Sequence, residues 1–181
     1  MDYHKLIDSL YPDGPLREIY ISHCRQVADK ALAIAHKKRL PIDDDVIVEA
    51  AMLHDIGIVM TNAPGIHCHG SQPYIAHGII GARILREAGI DESFARVAER
   101  HTGSGITADD IRRQNLPIPV GDYCPVSLLE RLICYADKFF SKSGTRQEKS
   151  RERIINSLRK FDFTDSSATV NRFLALEREF S

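Results

Sequence analysis

Apolar positions along this chain recur at helical spacing almost from end to end. Residues 16–38 contain no Pro or Gly, and Val27, Ala28, Ala31, Ile34 and Ala35 fall on one face at about 100° per residue. Pro41 ends that stretch, and Asp43, Asp44 and Asp45 offer N-cap and first-turn carboxylates for a second helix over 46–56, with Gly57 as its stop. A short amphipathic piece, 3–10, is set apart by Pro12, Gly14 and Pro15. Further helices are predicted over 74–88, 92–100, 127–140, 146–160 and 167–180. Gly78 and Gly81 leave room for close approach of another helix or a ligand. Residues 61–73 read as a loop. Residues 103–125 read as a long irregular stretch with one helical turn near 109–114, and a loop of that length inside a domain is usually functional. No strand-like alternation persists and no repeat is present. The class is all-α, a single domain over 1–181.

Composition narrows the function classes. At 181 residues, 43% hydrophobic and 27% charged, the chain is an ordinary globular one. A net charge of -1 gives no electrostatic reason to bind DNA or an anionic membrane. No apolar run approaches the roughly 20 residues of a membrane helix, and the start MDYHKLIDSLYPDG lacks the charged and apolar regions of a secretory signal. Cys24, Cys68, Cys124 and Cys134 form no CxxC pair, so reduced thiols in a cytoplasmic protein are expected rather than disulfides or a Cys-rich zinc site.

The eight histidines change the picture. His23, His54, His77 and His101, with Asp55 and Asp137, lie on or at the ends of different predicted helices, apart from the adjacent pair His54-Asp55. Metal sites in helical bundles are built from inward side chains of facing helices. His54 follows Ala50 and Ala51 on an apolar face, and Asp137 lies in a helix whose inward stripe is Leu129, Ile133 and Ala136. A carboxylate and an imidazole aimed at an apolar interior need a reason to be there. His4 and His36 read as ordinary residues on exposed helix faces. His67 and His69 lie in the loop between ligand helices, where His69 could border a pocket. Lys138, Lys142 and Thr102 are candidates for contact with a substrate phosphate. Arg146, Lys149, Arg153 and Lys160 fall at helical spacing and read as a solvated face.

The order H…HD…H…H…D, with His54-Asp55-Ile56-Gly57 intact, resembles the HD-domain superfamily of metal-dependent phosphohydrolases in its HDIG form. The resemblance runs over about 20–142, leaving 143–181 as C-terminal helices. It is carried by SHCRQVADKAL, EAAMLHDIG, AHGIIGARIL, ERHTG and YADKF. It implies a first metal held by His23, His54, Asp55 and Asp137. Asp55 would bridge to a second metal held by His77 and His101, as in the dinuclear subclass. The two divalent transition-metal ions have iron first among the candidates, with manganese, nickel, cobalt and zinc also suited to mixed N/O ligands.

Two such ions outweigh the two carboxylates, so the pocket would be net positive and favour phosphate oxygens. A metal-activated hydroxide at His54-Asp55 would be the nucleophile, and no G-x-S-x-G or P-loop string is present. The expected partner is a small phosphorylated, nucleotide-like molecule, and a homodimer stays open. Chain size, the HTG string and SLLERLICYADKF are similar to bacterial symmetrical dinucleoside tetraphosphate hydrolases, whereas the 103–125 insert departs from them. A nucleotide phosphatase, a linear-dinucleotide phosphodiesterase, a dinuclear iron oxygenase and a non-catalytic nucleotide-binding module remain as alternatives.

Overall fold

The computed structural model describes residues 2–144, 147–162 and 167–181. The helices are α1 (Tyr3–Leu10), α2 (Pro15–Lys38), α3 (Asp44–Leu53), α4 (His77–Glu87), α5 (Glu92–Arg100), α6 (Ala108–Gln114), α7 (Leu128–Asp137), α8 (Arg151–Arg159) and α9 (Ala168–Phe180). The architecture is all-α, as the apolar periodicity predicts. Among the described residues, the strands are limited to a two-residue antiparallel pair, β1 (Asn62–Ala63) with β2 (Cys68–His69), which closes the 61–73 loop into a small hairpin.

The long helix α2 packs against α3 and α7, and α4 packs against α5 and the short 3-10 turn Ile56–Met60. Tyr20, Val27 and Ala31 of α2, Ile47 and Leu53 of α3, and Leu132 and Ile133 of α7 form the buried centre. Phe173 and Phe180 of α9 close it at the C-terminal side. No helix among the described residues is long and apolar enough to cross a membrane. The four cysteines are free, and three of them are buried.

Two of the boundaries that differ from the sequence expectation matter for the site. α3 stops at Leu53, so His54 caps it and Asp55 already lies off the helix at φ -104°, ψ 11°. The carbonyls freed there are taken up from the neighbouring helices. The Tyr20 hydroxyl donates to Met52 O, and the Tyr11 hydroxyl donates to Ile56 O at 2.9 Å. Gly57 is more than a stop: a Cβ there would lie 2.2 Å from His77 O and 2.4 Å from Gly81 N, so only glycine lets α4 come this close. At the other end, α8 begins after Ser150, whose side chain accepts from Arg153 N. Residue 146 lies outside the described residues. Lys149 therefore precedes the helix instead of sitting on it, with its backbone N–H donated to Phe139 O at 2.7 Å.

The 103–125 insert is ordered around α6. A capping box starts that helix: Thr107 Oγ1 accepts from Asp110 N, and Asp110 accepts from Thr107 N. Ile106 and Tyr123 exchange backbone hydrogen bonds across the base of the insert.

Candidate metal centre

Six side chains on or at the ends of five helices converge in the interior. His23 comes from the middle of α2, His54 and Asp55 from the end of α3, and His77 from the first residue of α4. His101 caps α5, and Asp137 is the last residue of α7. All six are buried. They form two groups able to hold a metal ion, His23-His54-Asp55-Asp137 and Asp55-His77-His101, with ligand atoms within 4.8 Å of one another in each.

Asp55 belongs to both groups and divides its oxygens between them. Its Oδ2 lies 3.1 Å from His23 Nε2 and 3.1 Å from His54 Nε2. Its Oδ1 lies 3.3 Å from His77 Nε2 and 3.3 Å from His101 Nε2. Asp137 joins the first pair, with Oδ1 3.0 Å from His23 Nε2. The position of Asp55 beyond the end of α3 makes this possible. On a continuing helix the two side chains would diverge by about 100°.

The protonation of His77 and His101 fits a ligand pair. His54, His77 and His101 each hold a backbone carbonyl three residues back through Nδ1, at 2.6, 2.7 and 2.8 Å. A carbonyl only accepts, so each Nδ1 carries its proton and each Nε2 is turned inward. Burial pushes His77 down to about 3 and pushes His101 down too, so both rings are neutral at pH 7. Their Nε2 lone pairs then face each other at 3.0 Å with no proton between them. Burial also opposes ionisation of Asp55, but Lys142 and His54 hold it well below the usual carboxylate range. Lys138 and the two histidines do the same for Asp137. Burial lowers His54, yet Asp55 and then Asp137 outweigh it and hold that ring well above its ordinary value.

Orphaned atoms complete the test. His23 Nε2, His54 Nε2 and both Asp55 oxygens are buried without an aligned hydrogen bond, although charged neighbours stand close. Buried polar atoms without partners are costly. Four neutral-capable imidazoles and two carboxylates suit a divalent transition metal, so the residues fit such an ion. The three carbonyl-held Nδ1 atoms are the orienting contacts that ligand histidines require.

Two lysines touch the acids. Lys138 Nζ lies 2.7 Å from Asp137 Oδ2 and donates to His101 O at 3.1 Å. Lys142 Nζ lies 2.5 Å from Asp55 Oδ2. The two ammonium groups balance the two carboxylates, so any metal added makes the centre net positive.

A cavity of about 520 Å³ opens beside the centre. His77, His101, Thr102, Asp137, Lys138 and Lys142 line it at one end. The 61–73 loop borders it through Ala63, Gly65 and Ile66. His69 is exposed and is not among the lining residues. The insert borders the cavity through Ile106, Gln114 and Leu116. His4 and His36 are exposed, as their helix faces imply, and His36 pairs with Asp44 at 2.8 Å. Sequence reasoning missed Lys149, which lines the cavity instead of a solvated helix face, because the Ser150 cap that starts α8 past it was not recognised. It also missed Tyr11 and Tyr20, whose stacked rings, 4.1 Å apart, brace the turn that carries Asp55.

Comparison with known proteins agrees with this geometry. Residues 20–141 match the HD domain family. An uncharacterized protein of Methanocaldococcus jannaschii is 34% identical over 169 residues, covering 91% of this chain and 89% of that protein. A tRNA (cytidine(56)-2'-O)-methyltransferase of Picrophilus torridus is 34% identical over 139 residues, 77% of this chain but 34% of that enzyme. The enzyme of the same name from Thermoplasma volcanium is 30% identical over 96% of this chain and 47% of its own length. No solved structure matches. With the family match covering every one of the six converging residues, the chain belongs to the HD domain family of metal-dependent phosphohydrolases.

Proposed function

We propose that the chain hydrolyses a phosphoester or phosphoanhydride bond of a small nucleotide-like substrate, using two divalent transition-metal ions that share Asp55. The single observation behind this reading is the division of the Asp55 oxygens, one toward the His23-His54 pair and one toward the His77-His101 pair. His23, His54 and Asp137 would complete the first ligand set, and iron, manganese, nickel, cobalt or zinc suits these donors.

When bound, such ions supply Lewis acidity, an activated water and neutralisation of phosphate charge. The chain does the rest. The carbonyl-held rings of His54, His77 and His101 fix the geometry of the ligand atoms before substrate arrives. Asp55 and Asp137 stay ionised because the lysines beside them favour the charged form. Lys138 and Lys142, with Thr102 beside them, border the cavity where substrate oxygens would lie.

Methyl transfer, named for two relatives, is not carried over, since the chain spans about a third and under half of those enzymes. The test is metal analysis of protein purified without chelator, followed by a hydrolysis panel of nucleotides, linear dinucleotides and dinucleoside tetraphosphates with each metal. Phosphate or nucleotide release that Asp55→Ala abolishes, with helical content kept, is the expected result. Full activity in Asp55→Ala overturns the proposal. Oxygen consumption without phosphate release would point to an iron oxygenase, and tight nucleotide binding without turnover to a binding module.

A further inference from the structure

Four cationic side chains line the cavity among the described residues: Lys138, Lys142, Lys149 and Arg172. Three are already engaged. Lys138 holds Asp137, Lys142 holds Asp55, and Arg172 lies 2.8 Å from Asp110. Lys149 has no ion pair or side-chain hydrogen bond within the described residues, although it is half-buried. A half-buried ammonium without a partner is destabilising unless an anion reaches it.

Past that lysine the cavity turns apolar. Ile106 and Leu116 of the insert line it, together with Leu158 of α8 and Phe161 just past that helix. Phe161 is among the cavity's lining residues and is 49% exposed, so part of its surface is uncovered. Leu158 and Phe161 lie outside the segment that matches the family, so this wall belongs to the chain's own C-terminal helices. A cavity of about 520 Å³ is of the size that holds one small ligand.

We infer that the cavity takes a phosphomonoester bearing one flat apolar group, with Lys149 holding the phosphate and Phe161 and Leu158 stacking and enclosing the organic part. The inference rests on the phosphohydrolase reading and sharpens its substrate class. One free cation can compensate one phosphate group. Phosphates extending away from the metal centre and past Lys149 would meet Ile106, Leu116 and Leu158 and find no further unengaged cation among the described residues, so they would be desolvated without a countercharge. A flat ring on Phe161 gains both area burial and stacking. Burial pushes the Lys149 ammonium down to about 8 against the pull of Asp137, with Lys138 and Lys142 adding to the push. A phosphate dianion would relieve that cost.

Phenylphosphonate and methylphosphonate carry the same anionic head and are not hydrolysed, so calorimetric titration of the metal-loaded chain separates the two halves of the inference. Phenylphosphonate is expected to bind at least tenfold more tightly than methylphosphonate. Phe161→Ala should bring the two together, and Lys149→Gln should weaken both about tenfold while Lys149→Arg restores them. Equal binding of the two phosphonates by the wild-type chain overturns the inference, as does unchanged binding in Lys149→Gln. Tighter binding of diadenosine tetraphosphate than of phenylphosphonate overturns it as well. If Lys149→Gln loses its helical spectrum, the Lys149→Arg and Phe161→Ala titrations still decide. Phosphonate binding as expected with no hydrolysis of any substrate would instead sink the enzymatic reading and leave this one standing.

Discussion

His77 Nε2 and His101 Nε2 stand 3.0 Å apart, each ring with its Nδ1 proton given to the carbonyl three residues back. Two neutral imidazoles in that arrangement turn lone pairs toward each other, a repulsive contact that a cation converts into a ligand pair. Asp55 Oδ1 lies 3.3 Å from both nitrogens and completes the triangle. The packing that brings α4 onto α5 therefore also builds the second half of the candidate centre.

Removing either histidine should separate the two halves. His77→Ala and His101→Ala are each expected to reduce bound metal by one ion per chain, with the helical spectrum unchanged. Elemental analysis of the purified variants measures this. Unchanged metal content in both would contradict the dinuclear reading.

Lys142 competes with metal for the same oxygen, since its ammonium lies 2.5 Å from Asp55 Oδ2. Lys142→Met should raise the affinity for a divalent ion by about tenfold, ~1.4 kcal/mol. Competition against a metal-sensitive dye reads this directly, and an affinity that falls would show that the lysine does not compete.

Gly57 is required by the approach of α4, with a Cβ placed 2.2 Å from His77 O. Gly57→Ala is expected to cost about 2 kcal/mol through overpacking, read as a lowered urea midpoint. The same clash displaces His77, so metal content should fall along with stability. A variant as stable as the parent would mean that α4 yields easily.

Lys149 gives the chain a pH signature. Its folded value of about 8 lies below the ordinary lysine value of 10.5. Between those two values the unfolded chain holds a proton that the folded chain has released. Stability attributable to this group is therefore reduced below about 8 and rises with pH across that window. Lys149→Met should stabilise the chain at pH 7 by less than ~1 kcal/mol, because water partly screens the charge. That advantage should vanish by the upper end of the window. An advantage that grows with pH would contradict the assignment. Phosphonate affinity should fall in the opposite sense as Lys149 loses its charge.

The sequence by itself determined the helical class and the six converging side chains. Helical periodicity is a local property, and the H…HD…H…H…D order is written in the residues. It also marked Gly57, Gly78 and Gly81 as unusual, though not which neighbours required them. What only the tertiary structure decided lies where chain segments distant in sequence meet. The sequence extended the second helix through Asp55. Hydroxyls from Tyr11 and Tyr20, more than thirty residues upstream, accompany its earlier end and brace the turn that lets Asp55 serve both histidine pairs. Lys149 looked like one of a row of surface charges. The Ser150 cap and the hydrogen bond to Phe139 O place it at the cavity instead. The insert read as a long irregular stretch, and packing makes its Ile106 and Leu116 part of the cavity lining together with Leu158 and Phe161. Periodicity reports which face of a helix is apolar, but not what that face meets. Here the residues that share the cavity lining come from segments distant in sequence, so only long-range packing brings them together.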